Sequence, residues 1–173
     1  MVQLCLRKSN NTKANPLTNR IEKVIGDEEC LDSLFSALVA SYLFLNKSDL
    51  GVQIDLTPDS YDWLSSKNMV LAGESCGLAA YLMLTQPKNL IKTYSIINAS
   101  GAIRLKDNNF TVGKVGNITK KLNYFENFYQ DSSPKQCFVC PRSNKSQFAK
   151  NKYSAFDLWL IDPSFKLIQF KEL

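Results

Sequence analysis

The sequence predicts one mixed α/β (α+β) domain spanning residues 1–173. Three observations lead there. Helical and strand periodicities alternate along the chain. A length of 173 residues suits a single sizeable core. Hydrophobic residues at 45% and charged residues at 21% give the balance of a soluble globular protein.

Taken in order, a short strand near Leu4 opens the chain. Residues 8–20 are polar, asparagine-rich and carry Pro16, so they read as a mobile loop before a second strand at Ile21–Ile25. Asp27-Glu28-Glu29 then begins a helix, because acidic side chains suit the positive end of the helix dipole. Its apolar residues Leu31, Leu34, Phe35, Leu38, Val39, Tyr42 and Leu43 recur at helical spacing, and a stop is expected near Gly51. Val52, Ile54 and Leu56 alternate with Gln53, Asp55 and Thr57, the pattern of a half-buried strand that Pro58 ends. Residues 59–72 read as a connection, although Tyr61, Trp63 and Met69 make it apolar for a solvated loop.

A second helix begins just after Ser75, turns Leu78, Ala79, Leu82 and Met83 inward, and stops at Pro87. Ile96-Ile97 continues as a strand. Ile103 and Phe110–Val115 suggest a hairpin turning at Asp107-Asn108-Asn109. A third helix covers about Asn117–Tyr129, with Ile118, Leu122, Phe125 and Tyr129 on one stripe. Cys137–Cys140 and Phe156–Ile161 read as strands, and Phe165–Leu173 fits either strand or helix.

Composition narrows the function. No apolar run reaches the length of a membrane span, and the N-terminus turns polar at Arg7-Lys8, too early for a signal peptide. The expected location is therefore a cytoplasm, the cell's own or a host's, with no membrane partner. The net charge of +5 is modest and its basic residues are scattered, which offers no patch for nucleic acid. Five cysteines (Cys5, Cys30, Cys76, Cys137, Cys140) show no disulfide framework. Cys137-Phe138-Val139-Cys140 matches C-x-x-C, but a structural zinc needs two more ligands and no second such motif is present. Histidine is absent altogether. That removes histidine-dependent triads, the common zinc hydrolases and any imidazole base. Proton transfer must then fall to lysine, carboxylate, cysteine, tyrosine or a terminal amine.

Two residues stand out as a nucleophile and its base. Ser75 is closely flanked by Gly73 and Gly77, with Glu74 and Cys76 beside it. Glycines let the backbone bend sharply and let a substrate strand approach. A helix starting at the serine aims free N–H groups at an oxyanion site, where charge develops in acyl transfer. Tight helix–sheet packing accounts for the same glycines equally well. On the third helix, Lys120 and Lys121 point about 100° apart. Lys121 follows Ile118 by three residues and precedes Phe125 by four, so it borders the buried stripe, while Lys120 points away. Desolvation lowers a lysine pKa, which is what a lysine needs to accept a serine proton near neutral pH. A snorkelling lysine with its head in water is the alternative at this point.

Gly73-Glu74-Ser75-Cys76-Gly77-Leu78-Ala79 resembles the nucleophile segment of the Lon-type serine peptidases, G-P-S-A-G followed by an apolar helix. Ser100-Gly101-Ala102-Ile103-Arg104-Leu105 is similar to that family's T-G-E-I-T-L strand. Val115-Gly116-Asn117-Ile118-Thr119-Lys120-Lys121-Leu122 resembles I-G-G-L-K-E-K-L, whose second lysine, the catalytic one, falls on Lys121. Gln53-Ile54-Asp55-Leu56-Thr57-Pro58, behind the helix of residues 28–46, and Phe138-Val139-Cys140-Pro141-Arg142-Ser143-Asn144 are similar to the framing segments. The resemblance covers nearly the whole chain in order and spacing. Three positions depart from it: Glu74 replaces a proline, Ala72 an aspartate and Ala102 a glutamate.

The resemblance implies the Lon proteolytic-domain fold, which is ribosomal S5 domain 2-like, and a serine endopeptidase with a Ser75/Lys121 dyad. Ser100 takes the place of the family threonine that contacts the catalytic lysine, a role a serine hydroxyl also fills. No metal, nucleotide or other cofactor is implied, and the sequence has no G-x-x-x-x-G-K-S/T phosphate loop. The expected activity is therefore ATP-independent, on protein or peptide substrates. It would act alone, as a homo-oligomer, or with a substrate-delivering partner. Compact birnavirus-type peptidases, which use the same dyad without a motor, are a related possibility. The rivals are a non-catalytic binding or scaffold module keeping the fold, and a nucleotide- or small-molecule-binding relative.

Overall fold

The computed structural model describes residues 2–9, 15–129, 135–148 and 153–170. It is a mixed arrangement of helices and three small sheets, as the alternating periodicities predict. Strand β1 (Leu4–Lys8) pairs antiparallel with β2 (Val52–Leu56), Leu6 facing Ile54. Hairpin β4 (Ala102–Lys106) and β5 (Asn109–Gly113) forms the second sheet. Its turn residues Asp107 and Asn108 both take positive φ, 49° and 62°, the conformation a two-residue hairpin favours in residues such as Asn and Asp. The third sheet has the order β3 (Ile96–Ala99), β6 (Gln136–Pro141), β7 (Asp157–Ile161), β8 (Leu167–Gln169). Its first two pairings are parallel and its last antiparallel.

Strand β6 divides the packing. Cys137 and Val139 join a core built on α2 (Glu28–Leu45), α4 (Gly77–Thr85) and β2. Phe138 and Cys140 face the opposite way, into a second cluster with Ile118 and Leu122 of α6 (Ile118–Tyr129), Phe148, Phe156 and Leu160. A strand buried on both faces reads as a continuous apolar run rather than an alternating one, which is what Cys137–Cys140 shows. Ile118 and Leu122 are fully buried. Each contributes about 1.5–3 kcal/mol relative to exposure, so the face of α6 that borders Lys121 is firmly seated.

Several local expectations are corrected. Ile21–Ile25 is not a strand: Asn19–Glu22 is a single helical turn, α1, that buries Ile21, and only Ile25 makes a bridge, to Leu71. The connection at 59–72 contains a helix, α3 (Pro58–Ser66), with Pro58 in its first turn, where the missing N–H costs nothing. Leu64 anchors it in the core while Trp63 and Met69 stay exposed. Helix α2 stops at Leu45, short of Gly51, because Asn46 takes the left-handed conformation that closes it. Of the α2 stripe, Leu34 and Leu38 are buried, but Phe35, Val39 and Leu43 are exposed. Cys30, Ser33, Ala37, Ala40 and Ser41 face inward instead, small residues that let α2 lie close to α4. Asp55, on the supposedly solvated face of β2, is fully buried and clamped by Arg20, Arg7 and the Thr18 hydroxyl. In the predicted loop, residues 10–14 lie outside the described residues, while Leu17 is buried against Ile54. The ambiguous C-terminal run contains β8, an edge strand, with 171–173 outside the described residues. Helix α5 (Lys88–Ile91) and a short 3-10 segment at Arg142–Gln147 complete the chain.

Candidate functional site

The segment carrying Ser75 is a single 3-10 turn, Glu74–Cys76, and α4 begins at Gly77, two residues later than a helix starting at the serine. Gly73 enters the turn at φ 71°, a conformation that disfavours any side chain. Its N–H donates to the Asp27 carboxylate at 2.8 Å. Asp27 also caps α2 by accepting from the Cys30 N–H at 2.8 Å, so one side chain ties the Ser75 turn to a helix end. Ser33 adds a second tie: its hydroxyl donates to the Glu74 carbonyl at 2.8 Å and accepts from the Ile103 N–H at 3.2 Å. Gly77 is wedged in the same place, where a Cβ would lie 2.9 Å from the Ser33 carbonyl oxygen. The glycine after the serine is therefore a packing requirement.

The turn is also stitched to the junction between β3 and β4. The Gly101 N–H donates to the Ser75 carbonyl at 3.1 Å, and the Leu78 N–H donates to the Gly101 carbonyl at 2.9 Å. One residue away, the buried Ser100 hydroxyl accepts from the Lys121 ammonium nitrogen, Nζ, at 2.7 Å. Ser100 is itself fixed by its N–H donating to Val139 on β6. Two consecutive residues, Ser100 and Gly101, thus hold the lysine and the serine turn.

Lys121 is half-buried and Lys120 is exposed, as the helical-face argument predicts. Burial holds the Lys121 amine below its ordinary pKa, and the nearby Cys76 thiol, in its ionised form, opposes that shift. The side chain of Tyr129, the last residue of the predicted stripe, lies outside the described residues. Ser75 is half-buried. Lys121 is bonded to Ser100 and not to Ser75, so of the two contacts expected around the candidate dyad one is made and the other is not. Glu74 does not reach toward the lysine in any bond; its carboxylate is held bidentately by Arg104 of β4. The pair ties the Ser75 turn to strand β4.

Sequence reasoning did not single out Asp27, Ser33, Arg104 or Cys30 for the site. Asp27 carried a signal, an acidic residue at a helix start, but its second acceptor role depends on where Gly73 folds back. Ser33 and Cys30 looked like ordinary positions of an amphipathic helix.

Alongside the site runs a cleft of about 670 Å³. Leu4 of β1, Leu82 and Met83 of α4, Ile97 and Ala99 of β3, and Phe125 of α6 border it. Among the described residues no strand pairs with the outer edge of β3 or of β1. Two of its lining residues neighbour the Lys121–Ser100 contact in sequence: Ala99 directly precedes Ser100, and Phe125 lies one turn beyond Lys121. Among the described residues no cluster of three or more metal-ligating side chains occurs, and no helix is long and apolar enough to cross a membrane. No family model, curated protein or solved structure matches the chain.

Proposed function

We propose that this chain is an ATP-independent serine endopeptidase of the Lon type, with the ribosomal S5 domain 2-like fold, acting in a cytoplasm through Ser75 and Lys121. The observation that carries the reading is the 2.7 Å Lys121–Ser100 bond set one residue from the Gly101 contact to Ser75. A lysine whose charge is penalised by burial is poised to be a base rather than a surface cation.

In the proposed reaction Lys121 is neutral. One amine N–H is spent on Ser100, which aims the nitrogen lone pair, and the Ser75 side chain rotates to offer its proton. Ser75 Oγ bonds to the substrate carbonyl carbon as Lys121 takes that proton, and the oxyanion is met by backbone N–H groups at the turn. Collapse breaks the C–N bond, Lys121 protonates the leaving amine, and the ester is then hydrolysed by a water that Lys121 deprotonates. The substrate enters as an extended strand. The open edge of β3 beside the apolar cleft offers main-chain hydrogen bonds and side-chain pockets for it, as in strand addition. No metal or cofactor takes part, and substrates are flexible protein segments or peptides, presented directly, within a homo-oligomer or by a partner.

The rival is a non-catalytic binding or scaffold module, favoured by one observation: Lys121 bonds Ser100 rather than Ser75. Incubation with unfolded casein and a peptide boronate separates the two. The peptidase reading expects boronate-sensitive cleavage by the wild type and none by Ser75→Ala or Lys121→Ala. Cleavage surviving both substitutions would sink the dyad, and no cleavage by any of the three proteins would favour the module.

A further inference from the structure

Cys30 and Cys76 are 46 residues apart in sequence, yet their sulfurs lie 3.3 Å apart. Both are free thiols. Cys30 is fully buried in the first turn of α2, and Cys76 is half-buried in the turn that carries Ser75. A disulfide has an S–S bond of about 2.0 Å, so the sulfurs need to close by only about 1.3 Å. We propose that Cys30 and Cys76 form a redox-active dithiol, a modification site for hydroperoxides, whose disulfide locks the Ser75 turn onto α2 and suppresses the peptidase. The suppression rests on the peptidase reading; the dithiol and the lock do not.

The two thiols are electronically unequal. The hydrogen bond from Cys76 lowers the Cys30 pKa, against burial and the Asp27 charge, which raise it. The same contact, with burial, pushes the Cys76 thiol up. Cys30 also sits at a helix N-terminus, where the dipole favours a thiolate. Burial assigns the roles: Cys76, the half-buried thiol, meets the oxidant, and Cys30, fully buried behind it, resolves the product. Cys76 gives up its thiol proton as its sulfur bonds to one peroxide oxygen; the O–O bond breaks and the leaving hydroxide takes that proton, giving a sulfenic acid and one water. Cys30 sulfur then attacks Cys76 sulfur; the S–S bond forms, the S–O bond breaks, and the leaving hydroxide takes a proton as a second water. Two thiols lose two electrons and two protons, and one hydrogen peroxide becomes two waters.

The remaining cysteines do not compete for this chemistry. Cys137 and Cys140 are fully buried on opposite faces of β6, in separate clusters, with burial pushing the Cys137 thiol up to about 12. Cys5 lies on β1 and pairs in register with Asp55. The reduced Ser75 turn already hangs from α2 through Ser33 and Asp27. Drawing Cys76 toward Cys30 pulls the neighbouring Ser75 the same way, toward α2, while Lys121 stays fixed on Ser100. A misplacement of about 1 Å at a reacting group costs about 100-fold in rate.

The test treats the whole chain with hydrogen peroxide and then with dithiothreitol. Peptide mapping should find a Cys30–Cys76 link, hydrogen exchange should slow at the amides of 73–78, and peptide cleavage should fall about 100-fold and recover on reduction. Cys30→Ala should keep the reduced activity, form no link and show no slowing of exchange at 73–78 with peroxide. A missing link, or a link with unchanged exchange, overturns the site or the lock whether or not the protein cleaves peptides. A link with slowed exchange and undiminished cleavage overturns the suppression. If the reduced wild type cleaves nothing, the peptidase reading and the suppression with it are overturned, while mapping and exchange still decide the dithiol and the lock.

Discussion

The two halves of the candidate dyad are prepared to different degrees. The lysine half is assembled: Lys121 rises from a helix seated by Ile118 and Leu122, donates to a buried hydroxyl, and is disfavoured as a cation by burial. The serine half is one exposed-sided 3-10 turn held at its edges by Asp27, Ser33 and Gly101, with the Ser75 hydroxyl not bonded to the base. The contrast teaches that Lys121, the proposed base, is fixed by the fold, whereas Ser75, the proposed nucleophile, is held by a few hydrogen bonds to its turn. Substrate in the β3 cleft would supply the last rotation of Ser75.

Removing either reacting group breaks the comparison most severely. Ser75→Ala and Lys121→Ala should each lower kcat by at least about 10⁴-fold in a peptide-cleavage assay. Lys121→Arg should be as inactive as the alanine variant, because a guanidinium keeps its proton at every working pH.

Ser100→Ala sharpens the lysine half. It should lower kcat by about 10- to 100-fold with little change in KM, and Ser100→Thr should restore most of it. The pH profile carries the distinctive sign. The proposed mechanism needs neutral Lys121, so the rate should rise with pH through a value below the ordinary lysine pKa of 10.5. Losing Ser100 should move that midpoint, which a purely structural residue would not do. The same shift bears on folding. Between the lowered value and 10.5 the unfolded chain binds the additional proton, so this group makes stability increase with pH across that window.

Asp27→Ala tests the serine half. It frees the Gly73 N–H and uncaps α2 together. Stability should fall by about 1 kcal/mol, measured by urea denaturation, and kcat should fall by about 10-fold as the turn loosens.

The smallest effect is expected at the Arg104–Glu74 pair, which is partly exposed. Arg104→Gln should cost at most about 1 kcal/mol of stability and change cleavage by less than about five-fold. A large activity loss there would mean that the departure at Glu74 had been recruited into the site.

What was legible in the sequence follows from how local each signal is. The choice of Lys121 over Lys120 needed only helical geometry around Ile118 and Phe125, and the burial of the two lysines agrees with it. The hairpin at Asp107-Asn108 was likewise written in two residues that tolerate positive φ. The α3 helix was missed because Pro58 marks a helix start as readily as a strand end. The exposure of Phe35, Val39 and Leu43 was hidden because close α2–α4 packing selects small residues over large apolar ones. Cysteine gives the sharpest lesson. Cys137-x-x-Cys140 is conspicuous in the sequence, yet strand geometry sends the two thiols into different cores. Cys30 and Cys76 have no sequence signature, and only the packing of α2 on the Ser75 turn brings them together.

The most direct measurement is covalent labelling with a peptidyl β-lactone, followed by peptide mapping of wild type and Lys121→Ala. The account predicts a single acyl adduct on Ser75 that forms faster as pH rises through the Lys121 midpoint and is lost in Lys121→Ala. An adduct elsewhere, or one that forms on Ser75 at an undiminished rate without Lys121, would contradict it.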